Sequence, residues 1–160
     1  MKDMPDIDPR DLRDACGSFA TGVTVISTAT DEGDHGMTAN AFMSVSLDPP
    51  LISISLDHGS KMLAKVRASH RYAVSVLGDG MEGLALHFAG KFDPTMTDPF
   101  VHIDGLPVVP GALTVFLTDV VQEVEAGDHT LFIGHVTHIE RNRDALPLLF
   151  HGGRFAGLAS

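Results

Sequence analysis

The stretch Gly36-Met37-Thr38-Ala39-Asn40-Ala41-Phe42-Met43-Ser44-Val45-Ser46-Leu47-Asp48-Pro49-Pro50-Leu51 decides how this chain folds. Residues 37–47 read as a strand. Asp48-Pro49-Pro50 must end it, because proline has no amide hydrogen to give to a β-ladder. After the break, residues 51–56 alternate, with Ile52, Ile54 and Leu56 on one face and Ser53 and Ser55 on the other. Upstream, residues 23–30 are rich in Val, Ile and Thr and read as another strand. The intervening Asp31-Glu32-Gly33-Asp34-His35-Gly36 is a loop by composition, so the strands around it form a hairpin.

Working outward, Asp8-Pro9 is an N-cap followed by a first-turn proline, which opens a helix over about residues 9–18. Leu12, Ala15, Cys16 and Phe19 then share one face, and Cys16 is expected to be a small buried hydrophobe there. Ser60 is a good N-cap for a short helix ending near Ala68, with Met62, Leu63 and Val66 inward. Residues 72–77 make a strand. Met81, Leu84, Ala85 and Phe88 repeat at i, i+3, i+4, i+7, which marks a helix closed by Gly90. Residues 92–110 hold four prolines and little periodicity, so an irregular stretch is expected. Two long strands follow, residues 112–124 and 129–141, joined by Ala126-Gly127-Asp128, and residues 146–150 make a last short strand. Mostly strands, with three short helices tucked between hairpins, predicts a mainly β fold, a small barrel with helices.

The 160 residues fit one domain, 1–160. Eleven basic residues against twenty-one acidic ones give a net charge of −10, which argues against a nucleic-acid partner and against anionic membranes. The single cysteine cannot form an internal disulfide and suits a reducing, cytoplasmic location. The acidic start of the chain shows no apolar targeting segment, and no apolar run approaches the roughly 20 residues of a membrane helix. With no Trp and one Tyr, aromatic contacts to a ligand must come mainly from the nine Phe.

Gly78-Asp79-Gly80-Met81-Glu82-Gly83 matches the dinucleotide-binding pattern G-x-G-x-x-G, after a strand and before a helix. The context fails, because Gly90-Lys91-Phe92-Asp93-Pro94 opens an irregular stretch where a Rossmann unit needs a second parallel strand. The motif therefore reads as a glycine-rich turn. The nine His form no metal-ligand pattern: His135 and His138, three apart on a strand, are expected on opposite faces. No nucleophile elbow stands beside a base. What remains is the opening stretch, where Thr38, Asn40, Ser44 and Ser46 sit among small residues. Small side chains let a flat ligand approach the backbone, and Asn and Ser both donate and accept. The same pattern also suits an edge strand with a solvated face.

Three segments together resemble the flavin-reductase-like family: this stretch, above all Ser44-Val45-Ser46-Leu47-Asp48-Pro49-Pro50-Leu51; the upstream Phe19-Ala20-Thr21-Gly22-Val23-Thr24-Val25-Ile26; and Gly127-Asp128-His129 followed by Gly134. The closing Pro147-Leu148-Leu149-Phe150-His151-Gly152-Gly153-Arg154-Phe155 is similar to that family's C-terminal motif. The resemblance spans about residues 12–155. It implies an FMN-binding split β-barrel with a few short helices, acting as a homodimer on FMN or FAD. It implies that Thr38, Ala39, Asn40 and Ala41 line the isoalloxazine ring, with Ser44, Val45 and Ser46 nearby. Ser55, Leu56 and Asp57 would lead to the flavin phosphate, held by Ser60 and Lys61, whose helix N-terminus is an anion site on physical grounds as well. Phe88, Ala89, Gly90 and Lys91 would lie on the phosphate or ribityl side. His129 would meet the nicotinamide nucleotide, and Phe150 to Arg154 would border that second site. Two features depart from the family pattern: the glycine-rich turn at 78–83, and Phe150 where an aromatic hydroxyl is common.

The function this implies is hydride transfer from NADH or NADPH to bound flavin, with reduced flavin passing to a separate monooxygenase. Such chemistry needs no acid–base pair, so His129 reads as a positioning residue. The alternative is a flavin-binding electron carrier or sensor without NAD(P)H turnover. A split-barrel oxidase acting on a phosphorylated amine would need a second Arg and Lys cluster that the chain does not show.

Overall fold

The structure is a computed structural model and describes residues 4–159. It opens with α1 (Pro9–Gly17), whose cap is as expected: the Asp8 carboxylate accepts from the Arg10 amide. Then come β1 (Thr21–Gly22), β2 (Thr24–Thr30), β3 (Gly33–Ala39), β4 (Phe42–Leu47), β5 (Pro50–Asp57), α2 (Lys61–Ser69), β6 (Arg71–Val76) and α3 (Glu82–His87). The chain ends with β7 (Val101–Ile103), β8 (Leu106–Val108), β9 (Thr114–Ala126), β10 (His129–Arg141), β11 (Leu148–His151) and β12 (Arg154–Gly157). Among the described residues no helix is long and apolar enough to cross a membrane.

Seven strands form one antiparallel sheet in the order β3-β2-β6-β9-β10-β5-β4. Its two edges, β3 and β4, are consecutive in the chain and separated only by Asn40 and Ala41. A sheet whose outermost strands are joined by two residues must curl until those edges meet, without a ladder between them. This is the split barrel that the resemblance implied.

Residues 37–47 are therefore two strands, not one, and the break falls at Asn40-Ala41. The Phe42 amide closes the corner by donating to the Asn40 carbonyl at 2.9 Å. The loop before β3 is shorter than expected, since Gly33, at φ 108°, already starts the strand. The irregular stretch holds the small β7–β8 hairpin, and the C-terminus adds β12, paired antiparallel to β11.

Strands β2 and β6 are buried on both faces, which is why they lack clean alternation. Val25, Ala73, Val115 and Leu117 face one cluster, completed by Ala85 of α3, Leu106 and Val108 of β8 and Leu148 of β11. Their sequence neighbours Ile26, Tyr72 and Val74 face the other, with Ile52, Ile54, Leu56, Phe132 and the α2 residues Met62, Leu63 and Val66. A nine-residue helix is unstable alone. Each apolar side chain it buries stabilises it by about 1.5–3 kcal/mol. Inside, the Tyr72 hydroxyl donates to the Phe132 carbonyl at 3.0 Å, and burial pushes its pKa well above the ordinary phenol value. Gly134 must be glycine, because a Cβ there would stand 2.7 Å from the Tyr72 hydroxyl and from Thr118.

The α1 face is the largest departure. No residue of α1 is buried: Leu12 is 57% exposed, Phe19 just beyond it 78%, and Cys16 is exposed rather than a core thiol. The stripe is real, but among the described residues nothing covers it.

Candidate active site

The open seam between β3 and β4 is where the site residues collect. β3 is an edge strand, and α3 is tied to it: the Thr38 amide donates to the Phe88 carbonyl at 3.1 Å, and the Thr38 hydroxyl to the Ala85 carbonyl at 2.6 Å. β11 pairs with β1, setting Phe150 opposite Thr21, and packs its ring on Phe155 with centroids 5.5 Å apart. The result is a cavity of about 310 Å³ lined by Thr38, Ala39, Asn40, Leu86, Ala89, Phe150, Gly153, Phe155 and Val23. A second cavity of about 560 Å³ opens onto it through Asn40, Phe150 and Gly153, and adds Arg13, Cys16, Gly17 and Phe19 from α1 and its exit.

This geometry fits a planar ring. The floor is small (Ala39, Ala89, Gly153), the walls are aromatic (Phe150, Phe155), and the rim carries the Thr38 and Asn40 polar groups. Directly opposed strand residues point to one face, so the Thr21 side chain lies beside Phe150. Its hydroxyl is buried and has no hydrogen-bond partner among the described residues, which leaves a polar atom to be satisfied at this end of the site.

The expected site residues divide into three groups. Thr38, Ala39, Asn40, Ala89 and Phe150 converge on the first cavity. Ala41 is exposed at its corner, Gly90 closes α3 at φ 95°, and the exposed Lys91 follows, its amide donating to the Leu86 carbonyl at 3.0 Å. Ser44, Val45 and Ser46 lie on β4, where a register shift leaves Val45 bulged between Ser44, opposite Ile52, and Ser46, opposite Leu51. Arg154 is exposed at the start of β12, between two lining residues but not itself lining.

The third group, Ser55, Leu56, Asp57, Ser60, Lys61 and His129, gathers at the other end of β5. His129 pairs with Asp57 across the ladder and is not among the residues lining the cavities of Phe150. The Ser60 hydroxyl accepts from the Leu63 amide at 3.2 Å, so it caps α2 as expected, and Lys61 stands exposed in the first turn. His129 Nδ1 lies 2.7 Å from Asp128 Oδ1; the hydrogen bond from His129, then its charge, holds the Asp128 carboxyl below its ordinary range. Asp57, Asp128 and His129 each bring a ligand atom within 4.8 Å of the others. Within that grouping Asp57 Oδ1 accepts from the Gly59 amide at 2.7 Å and Asp128 Oδ1 is in contact with His129.

Two of these side chains point away from any open cavity of the seam. Leu56 is fully buried in the core, so only its backbone can face a ligand. The Phe88 ring is stacked on Phe100 with centroids 5.1 Å apart, packed against Gly36, and Phe88 does not line the ring cavity. Sequence reasoning missed Val23, Leu86, Phe155, Phe19 and Cys16 as lining residues. The first three read as ordinary apolar positions, and the last two as an inward helix face.

A family profile described as a flavin reductase like domain matches residues 16–159. The NADH-dependent flavin reductase of a Rhodococcus species is 43% identical over 157 residues, spanning 96% of this chain and 89% of that relative. The solved structure of the flavin reductase PheA2 in its native state superposes with a TM-score of 0.92 at 47% identity, covering 96% of this chain and all of that one. The styrene monooxygenase flavin reductase of Pseudomonas putida S12 superposes at 0.86 and 37% identity, covering 94% of this chain and 98% of its own. With that profile spanning nearly the whole chain and the split barrel in place, the chain belongs to the flavin-reductase-like family.

Proposed function

We propose that the chain reduces FMN or FAD with NADH or NADPH, and that the observation carrying this is the seam cavity with its open second chamber. When bound, the flavin accepts a hydride and the nicotinamide donates it, so the protein need supply no acid–base pair. Thr38 to Ala41 hold the ring edge, and Ala39, Ala89 and Gly153 let it lie flat. Phe150 and Phe155 exclude water at the face where the nicotinamide must stack. Ser44 to Ser46 border the ring from β4. The backbone of Ser55 to Asp57 and of Phe88 to Gly90 guides the tail toward Ser60, Lys61 and Lys91, where α2 amides and two ammonium groups face its phosphate. His129 and Arg154 bind the nucleotide, His129 as a positioning residue. Because His129 does not line the cavities of Phe150 within one chain, its part in a nucleotide site beside Phe150 calls for a second subunit, a homodimer. The exposed apolar residues Met43, Val45 and Leu47 on β4 give that dimer a face. The reduced flavin passes to a separate monooxygenase, as the name of the styrene relative supports, and the lone Cys16 suits a reducing cytosol.

The test is NAD(P)H oxidation by purified protein with FMN or FAD. Bleaching of the flavin band on adding NADH or NADPH is the expected result. Flavin binding without bleaching means an electron carrier or sensor instead, and no flavin binding at all ends the reading. In the active enzyme His129→Ala should raise KM for the nucleotide while flavin still binds.

A further inference from the structure

Two Asp-His dipeptides meet at one end of the barrel: Asp57-His58, where β5 ends, and Asp128-His129, where β10 begins. The ladder sets His129 opposite Asp57, and the His58 amide donates to the Asp128 carbonyl at 2.9 Å. Directly opposed residues point to one face, so the Asp57 and His129 side chains stand together. A carboxylate oxygen of Asp57, one of Asp128 and a ring nitrogen of His129 lie within 4.8 Å of one another. His58, His102 and His138 each meet a single carboxylate, at 3.3, 2.7 and 3.3 Å respectively. Among the described residues no other three such donors come together. No spacing in the sequence marks the group, because its members come from two strands that are distant in the chain and neighbours in the sheet.

We propose that Asp57, Asp128 and His129 hold a divalent transition-metal ion of the zinc class, and that the bound ion blocks the nicotinamide nucleotide. The second half rests on the part given to His129 under the proposed function; the first stands on the geometry alone. Two carboxylate oxygens and an imidazole nitrogen are a donor set that zinc and its first-row neighbours accept, whereas magnesium and calcium favour oxygen alone. Donors about 2.0–2.2 Å from a tetrahedral zinc stand about 3.4 Å apart. His129 Nδ1 and Asp128 Oδ1 are 2.7 Å apart, and the exposed Asp128 side chain has room to open that gap. The Gly59 amide steadies the Asp57 carboxylate through Oδ1 at 2.7 Å, which leaves Oδ2 for an ion. The group faces solvent, with the Asp128 side chain 88% and the His129 side chain 41% exposed, so an ion can enter and keep water in its fourth position. Two carboxylates against one imidazole make the empty group attractive to a cation, on a chain whose net charge is −10. An ion on the His129 ring occupies the group that would meet the nucleotide, so zinc and NADH compete.

The experiment titrates zinc chloride into the purified chain by isothermal titration calorimetry, and repeats it with magnesium chloride and with the variants Asp57→Asn, Asp128→Asn and His138→Gln. One zinc per chain is expected, with magnesium weaker by about tenfold or more. Removing even an outer partner of a metal site costs about 10–100-fold, so loss of a donor in Asp57→Asn or Asp128→Asn should weaken zinc by at least about tenfold. His138→Gln should bind zinc as the wild type does. NADH oxidation with flavin is followed alongside: zinc should raise the apparent KM for NADH at constant kcat, EDTA should reverse the rise, and Asp128→Asn should lose the response to zinc. Absence of zinc binding, binding untouched in both Asp variants, or a matching loss in His138→Gln overturns the site. Zinc bound at these residues with KM for NADH unmoved overturns the inhibition and removes His129 from the nucleotide site. A chain that oxidises no NADH with either flavin ends the reductase reading, while the calorimetry still decides the metal site.

Discussion

Gly36→Ala tests whether the ring cavity depends on the aromatic packing beneath it. Gly36 lies within β3 at an ordinary strand conformation, where alanine is accepted and by itself would add up to about 1 kcal/mol by restricting the unfolded chain. The obstacle is steric. A Cβ there would stand 2.7 Å from Phe100 Cζ and 2.8 Å from Phe88 Cε1. Ordinary contact needs about 3.4 Å or more, so both rings must retreat by about 0.7 Å. They are stacked on each other at 5.1 Å and packed against the first cluster, so neither swings freely. Overpacking of this kind costs about 1–3 kcal/mol. For a chain of this size each kcal/mol lowers Tm by about 2–4 °C, so a fall of about 2–12 °C is expected. The site should feel it too, because the Phe88 carbonyl accepts the Thr38 amide that positions the cavity floor. Thermal unfolding followed by circular dichroism, with flavin titration, measures both. Gly36→Ala combined with Phe100→Leu should recover part of the loss. A variant that melts at or above the wild-type temperature, with unchanged flavin affinity, would refute the steric argument.

Ser60→Asp keeps a good N-cap but places a carboxylate beside the proposed phosphate. Tm should hold while FMN and FAD affinities drop about tenfold or more and riboflavin affinity stays level, and equal losses for all three flavins would exclude a phosphate there. Tyr72→Phe leaves the Phe132 carbonyl without its donor inside the barrel. Denaturant unfolding should show a loss of about 1–3 kcal/mol with KM for NADH unchanged, and a shift in KM instead would place Tyr72 in the site. The His35 pKa is depressed in the folded chain, so the unfolded chain binds more protons as pH drops below about 6.5. That stability is present above the ordinary His value and is lost on acidification; melting scans from neutral to mildly acidic pH should find His35→Gln less acid-sensitive than wild type, and parallel curves would contradict this. Leu47 is 95% exposed in one chain, and Leu47→Asp should halve the mass seen by light scattering while leaving circular dichroism unchanged; an unaltered mass removes β4 from the dimer face.

The hairpins were legible because local chemistry decided them. Asp48-Pro49 ended β4, with Pro50 already opening β5, Ser60 capped α2, and the long β9–β10 pair carried its own turn at Gly127-Asp128. The break at Asn40-Ala41 was not legible, because nothing in residues 37–47 forbids a continuous strand. It arises when the two ends of a seven-stranded sheet are brought together, which is a constraint of the whole fold. Cys16 and Phe19 were misread for a related reason: periodicity identifies an apolar stripe but not what lies against it. Thr38, Asn40 and Ser60 stood out by residue type. Leu86 and Phe155 did not, since an apolar wall of a ligand cavity has the composition of any core position.

The location of the cavity follows from the same closure. A fully closed barrel satisfies every backbone group on its strands, and an open sheet leaves two edges bare. Here the edges meet at Asn40 without pairing, and α3 covers only part of β3, through Thr38. The bulge at Val45 turns β4 out of register over the same span. The seam therefore keeps backbone donors and acceptors beside small side chains, which is what the polar edge of a flat heterocycle requires. Inside the barrel, by contrast, the hydroxyls of Tyr72, Thr118 and Ser75 are already spent on carbonyls and an amide of neighbouring segments. A substitution that extended the β3 ladder across the seam would stabilise the sheet and close the site together, so the ring cavity and the incomplete barrel are one structural feature.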